Sequence, residues 1–92
     1  MDKFHNDLTR RIFEGERIKG LPDDLMRRAK IKIFHVLAAR DIRTLAIPPA
    51  NRLEKLSGSR DGQWSIRVND KYRICFNWFD GKASNIEFVD YH

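Results

Sequence analysis

The sequence predicts an α+β domain: a twisted, mainly antiparallel sheet with two N-terminal helices on one of its faces. Three observations carry this. Residues 60–92 alternate apolar and polar side chains with period two, the signature of half-buried strands. The interval 22–40 repeats its apolar residues with helical spacing. The order is helices first and consecutive strands after, joined by short turns, which favours a meander over parallel βαβ units.

Each element has local support. Residues 1–6 are read as a short edge strand. Asn6 is placed to cap a helix from Asp7 to about Glu14, with Leu8 and Ile12 on one face. Gly15 to Gly20 interrupts the pattern. Pro22 suits the first turn of a second helix, and Asp23 and Asp24 complement the positive end of its dipole. That helix is expected to run to Ala39 or Arg40. Leu25, Ala29 and Val36, flanked by Met26, Ile33 and Leu37, form the stripe that covers the sheet. Ile31 and Phe34 lie off this stripe and are expected to pack against the first helix; the other reading is a partner surface. Asp41 to Pro49 is a connector in which Pro48 and Pro49 exclude helix and favour extended chain. Arg52 to Ser57 reads as a short strand anchored by Leu53 and Leu56, and Gly58 to Gly62 as a loop.

The meander follows. Trp64, Ile66 and Val68 alternate with Ser65, Arg67 and Asn69, and a turn at Asn69-Asp70 follows them. Tyr72, Ile74, Phe76 and Trp78 then alternate with Arg73, Cys75 and Asn77. A turn at Asp80-Gly81 leads into Ala83–Val89. The polar face, bearing Arg67 and Arg73, is expected to stay open to solvent. If Ile86 and Phe88 face the core, Glu87, Val89 and Tyr91 share the face of Arg73, and Asp90 and His92 point inward.

Composition narrows the function classes. Ninety-two residues suit a single domain, 1–92, with one core. No apolar run approaches the ~20 residues of a membrane helix, and the N-terminus lacks the apolar stretch of a signal peptide. Cys75 is the one cysteine, so no internal disulfide forms; this suits a reducing, cytoplasmic setting. The net charge is +5. Residues 1–50 hold 11 basic and 7 acidic side chains, against 7 and 6 in residues 51–92, so the excess lies in the helical half. A basic domain suits a phosphate-rich partner. Arg10, Arg11, Arg27, Arg28 and Lys30 on the helices, and Lys55, Arg60 and Arg67 on the sheet side, are the candidate residues for such a partner, RNA among them. His5, His35 and His92 are far apart in sequence with no paired ligand spacing, so no metal or other cofactor is expected. Phosphate-loop and Gly-x-Ser-x-Gly patterns are absent from the sequence.

The chemistry that remains lies on the polar face and at Asp90-Tyr91-His92. Arginine, tyrosine, histidine and a carboxylate are the ingredients of metal-free phosphodiester cleavage. A base takes the proton of a ribose 2′-hydroxyl, arginine stabilises charge on the phosphate, and an acid protonates the leaving 5′-oxygen. The opposing reading makes Arg73 a solvated sheet residue, contributing within ~0.5 kcal/mol to stability.

Over nearly its whole length the chain resembles the HigB-type toxins of the RelE superfamily, the plasmid maintenance killer proteins. The resemblance is carried by Asn51-Arg52-Leu53-Glu54-Lys55-Leu56, by Gly62 to Asn69, by Tyr72 to Phe76 and by Val89-Asp90-Tyr91-His92. It implies a RelE-like α+β fold and a ribosome-dependent endoribonuclease that cleaves messenger RNA in the A site. It also implies a cognate HigA-type antitoxin with a helix-turn-helix domain, through which alone operator DNA is bound. Arg73 matches the arginine of the family's Trp-Arg-Ile motif, with Tyr72 in place of tryptophan, and is implied to be the phosphate clamp. Asp90, Tyr91 and His92 match the C-terminal active-site residues. Glu54 stands where some relatives carry histidine, and Ser57 where they carry lysine; Glu54 is a candidate base, and Lys55 and Arg60 are candidates for the missing charge. The rival function is a non-catalytic basic module that occupies the ribosome or serves as an antitoxin-bound co-repressor.

Overall fold

A computed structural model describes residues 3–90. Helix α1 spans Asp7–Phe13 and α2 spans Asp23–Ala38. Strands β1 (Glu54–Lys55), β2 (Gln63–Arg67), β3 (Tyr72–Phe79) and β4 (Lys82–Asp90) form one antiparallel sheet in sequence order. Every neighbour in the sheet is a neighbour in the chain. The α+β meander read from the sequence is therefore what forms.

Asn6 caps α1 as expected. Its Oδ1 accepts from the Thr9 backbone N–H at 3.0 Å and from the Thr9 hydroxyl at 2.6 Å. Pro22 is extended and lies just ahead of α2, not in its first turn. The helix stops at Ala38, slightly short of the expected Ala39 or Arg40. Leu25, Ala29, Ile33 and Val36 are buried against Ile66, Val68, Ile74, Phe76, Ile86 and Phe88 from the sheet, with Ile12 from α1. Among the described residues no helix is long and apolar enough to cross a membrane.

Several expectations are corrected. The segment expected to be an edge strand makes a single parallel bridge, Phe4 to Ile86, with His5 N donating to Ile86 O at 2.8 Å and Ile86 N to Lys3 O at 3.0 Å. Residues 1–2 lie outside the described residues. This arm covers the outer edge of β4, which otherwise presents unpaired backbone groups. The Phe88 N–H donates to the buried Thr9 hydroxyl at 3.0 Å, tying α1 to the same strand. The proline connector is not free of helix: Ile42–Ala46 and Pro49–Asn51 each form a 3-10 turn. Proline is compatible with a first helical position because its missing N–H has no partner there. The strand expected over 52–57 shrinks to Glu54–Lys55, since Arg52 adopts a left-handed conformation (φ 46°) that breaks the extended run. Ile31 and Phe34 do not pack against α1. They are 47% and 57% exposed and lie outside the core cluster that holds Ile12, Leu25, Ala29, Ile33 and Val36.

The polar face is also less open than expected. Ser65 and Cys75 are fully buried, and Arg73 is 8% exposed. The chain entering β1 folds back over this face, and Leu56 packs with Cys75 and Val89 as a second small apolar cluster. Burial pushes the Cys75 thiol pKa up.

Candidate active site

Arg73 is central to the covered face. β2, β3 and β4 set it opposite Arg67 on one side and Val89 on the other. Its Nε donates to Ser65 Oγ at 2.8 Å, and its Nη2 donates to the Arg52 carbonyl at 2.6 Å and more weakly to the Ser65 carbonyl at 3.5 Å. Its Nη1 lies 3.8 Å from Glu54 Oε1. The guanidinium is thus gripped along one edge, and its charge is fixed in place and shielded from solvent. A buried cation held by oriented acceptors is arranged before any ligand arrives, the condition for strong stabilisation of developing negative charge.

Beside it opens a cleft of about 240 Å³ lined by Arg52, Arg67, Asn69, Asp70 and Arg73. Three arginines against one carboxylate make it an anion site by charge and geometry. Arg67 is ion-paired with Asp70, which is almost wholly exposed and anchors the hairpin turn from outside. Glu54, half exposed on β1, sits opposite Ser65 across the strand pair. The arrangement therefore brings together Arg73, Glu54 and Arg67 from the sequence reading.

The remaining candidates are more dispersed. Asp90 pairs with Tyr72, one residue past the Arg73–Val89 pair. It is not turned into the core as strand parity suggested. Its side chain is about half exposed, with Oδ2 3.6 Å from Lys71 Nζ. Tyr91 and His92 lie outside the described residues. Lys55 reaches over the Trp64 ring at 5.9 Å. Arg60 points its Nη1 at Gln63 Oε1 (3.0 Å) and Glu87 Oε1 (3.1 Å), away from the Arg73 cleft.

On the helical side the basic residues differ in how free their charge is. Arg10 pairs with Asp7 and Glu14, and Arg11 with Glu16 at 3.0 Å. Arg28 donates to the Val68 carbonyl at 2.8 Å and so ties α2 to the sheet. Arg27 and Lys30 line a groove between α1 and α2.

Sequence reasoning missed two parts of the Arg73 site. Ser65 was assigned only to a face, although its parity beside Arg73 was the available signal. The Arg52 carbonyl enters through a left-handed turn that no side-chain pattern marks.

Comparison with known proteins finds relatives along the whole chain. A profile described as RelE-like toxin of type II toxin-antitoxin system HigB matches residues 2–92. The chain is 35% identical over 91 residues to Toxin HigB-1 of Vibrio cholerae, covering 98% of this chain and 95% of the relative. It is 31% identical over 81 residues to Endoribonuclease HigB of Proteus vulgaris, covering 88% and 87%. A 29% identical protein of Haemophilus influenzae, over 92 residues and 90% of its length, carries no functional name. With whole-length agreement in sequence and an antiparallel meander backed by two helices, this chain belongs to the RelE-like HigB toxins of type II toxin–antitoxin systems.

Proposed function

We propose that the protein is a ribosome-dependent endoribonuclease that cleaves messenger RNA in the A site without a metal ion, and that this cleavage stops translation and growth. The observation that carries the reading is the Arg73 guanidinium, buried and oriented by Ser65 and Arg52 at the edge of a cleft rich in arginine. The name of the Proteus vulgaris relative, Endoribonuclease HigB, supports the same class of reaction.

In this reading the scissile phosphate enters the cleft and is met by Arg73, with Arg52 and Arg67 adding positive charge. Glu54 or a group of the Asp90-Tyr91-His92 ending takes the proton from the ribose 2′-hydroxyl. The 2′-oxygen bonds to phosphorus, the bond from phosphorus to the 5′-oxygen breaks, and an acid from the same ending protonates that oxygen. The products are a 2′,3′-cyclic phosphate and a 5′-hydroxyl. Removing one well-aimed donor from such a transition state costs about a hundredfold to a thousandfold in rate. The protein acts in the cytoplasm, and a HigA-type helix-turn-helix antitoxin neutralises it and links it to operator DNA.

The test is to incubate pure protein with translating ribosomes and map the new RNA ends. Cuts within A-site codons carrying 2′,3′-cyclic ends are expected. Deleting His92 should abolish them, while Tyr91→Phe separates the hydroxyl from the ring. Cleavage of a short RNA at high protein concentration should survive EDTA. Ribosome binding and growth arrest with no new RNA ends would favour a non-catalytic binding module.

A further inference from the structure

A second polar pocket lies on the same sheet face as Arg73, toward the opposite ends of the strands. It encloses about 440 Å³ and is lined chiefly by His5, Arg60, Gln63, Asn77, Asn85 and Glu87. Three structural devices converge on it. The N-terminal arm, pinned by its hydrogen bonds to Ile86, delivers His5. A register shift between Cys75 and Asn77 gives β4 an extra residue, and Asn85 there takes a left-handed conformation (φ 53°). Bulges of this kind re-aim side chains, and asparagine is among the residues that tolerate the conformation. The loop before β2 supplies Arg60.

The side chains form one chain of hydrogen bonds. His5 Nδ1 lies 2.9 Å from Asn85 Oδ1, and its Nε2 is 3.9 Å from Glu87. Gln63 Nε2 donates to Asn77 Oδ1 at 2.9 Å, and Asn85 Nδ2 donates to the same oxygen at 3.4 Å. Each primary amide has two N–H donors and an oxygen with two lone pairs. The bonds described use one donor on Gln63 and one on Asn85, so each has a second in reserve. The Arg60 charge is met by Glu87 at 3.1 Å, and Asp61 also lines the pocket, so it has no excess positive charge to offer a phosphate.

We propose that this pocket is a base-binding subsite that takes one unpaired nucleobase of the RNA strand held at Arg73. The assignment rests on the ribonuclease reading above for the identity of that strand. Amides present donors and acceptors together, as base edges do, and an exposed imidazole offers a plane for stacking. Asn77 lies four residues along β3 from Arg73, roughly 13 Å at strand rise. A flanking nucleotide can reach across that distance while its neighbour's phosphate sits in the arginine cleft. Cys75, buried against Leu56 and Val89, lies between Arg73 and Asn77 on β3.

The test uses the unaltered protein and a short single-stranded RNA whose riboses are 2′-O-methylated, so that binding is read without cleavage. In an NMR titration the side-chain amides of Gln63, Asn77 and Asn85 and the His5 ring should shift. An otherwise identical RNA with an abasic flanking position should lose those shifts and bind roughly tenfold to a hundredfold more weakly. Shifts confined to the Arg73 cleft, or equal affinity for the abasic strand, overturn the proposal. On ribosomes, Gln63→Ala and Asn85→Ala should change which base is preferred beside the cut. Unchanged preference in both variants also overturns it. If the unaltered protein cuts no RNA on ribosomes yet shows the base-dependent shifts, the subsite stands and the ribonuclease reading fails.

Discussion

Replacing Arg73 by alanine is expected to damage both activity and stability, and the two effects separate by temperature. The side chain makes two short hydrogen bonds, to Ser65 Oγ at 2.8 Å and to the Arg52 carbonyl at 2.6 Å. Bonds to a charged donor contribute about 1.5–3 kcal/mol each. The relief of burying a charge offsets part of that loss. The Glu54 contact, at 3.8 Å to a half-exposed carboxylate, adds little. A net cost of about 2–4 kcal/mol follows, much larger than for a solvated arginine. In a domain of this size each 1 kcal/mol moves Tm by about 4–8 °C, so a drop of roughly 8–32 °C is expected. Thermal unfolding followed by circular dichroism measures it. Cleavage should then be timed at a temperature where the variant is fully folded, and a loss of at least about a hundredfold is expected there. Arg73→Lys keeps the charge but not the planar fork that spans Ser65 and Arg52. It should recover part of the stability and little of the rate. If folded Arg73→Ala cuts within a few-fold of the unaltered chain, the clamp reasoning is wrong.

Alanine at Arg10, Arg11, Arg27 and Arg28 together should weaken ribosome binding and flatten its dependence on salt, with Arg27 dominating because Arg10 and Arg11 are already paired with acidic neighbours; single substitutions compared by binding titration at several salt concentrations test that ranking. Asn51→Ala should lower stability by about 1–3 kcal/mol, read by urea unfolding, because the fully buried amide donates to the Leu45 carbonyl at 3.1 Å and accepts from Lys32. The Arg43 guanidinium and backbone N–H hold the Asp41 carboxyl pKa down to about 2. A depressed carboxylate pKa favours the folded state above the ordinary value near 4, and this contribution fades as pH falls toward 2. The Tm of Asp41→Asn should therefore fall less steeply than that of the unaltered chain between pH 5 and 2, and match it more closely at the acid end than at neutrality.

The meander was readable because its signals are local. Alternation sorted Ile66, Ile74, Phe76 and Phe88 onto one face, and Asp80-Gly81 marked a hairpin turn. The same parity put Arg73 on the other face but did not reveal its burial. What buries it is the return of Arg52–Leu56 over the sheet, which depends on a left-handed residue at Arg52 and on contacts between segments far apart in sequence. The polar pocket was harder still to read. His5 and Asn85 are 80 residues apart, and the bulge that turns Asn85 inward has no clear pattern in a strand. Ile31 and Phe34 were misplaced for a simpler reason: helical spacing shows which residues leave the main stripe, but not whether a neighbour covers them.

The bond between Thr9 and Phe88 also sets a schedule for synthesis. Its partners are separated by 79 positions, and at about 5–20 residues per second the second emerges roughly 4–16 s after the first. During that interval α1 and the arm carrying His5 have no β4 to dock on. The edge of the sheet face that receives them, and the Val89 side of the Arg73 row, are built from the same late strand. A nascent chain stalled before β4 therefore holds neither pocket in working form, and the charge of Arg73 gains its full setting only once β4 has been made.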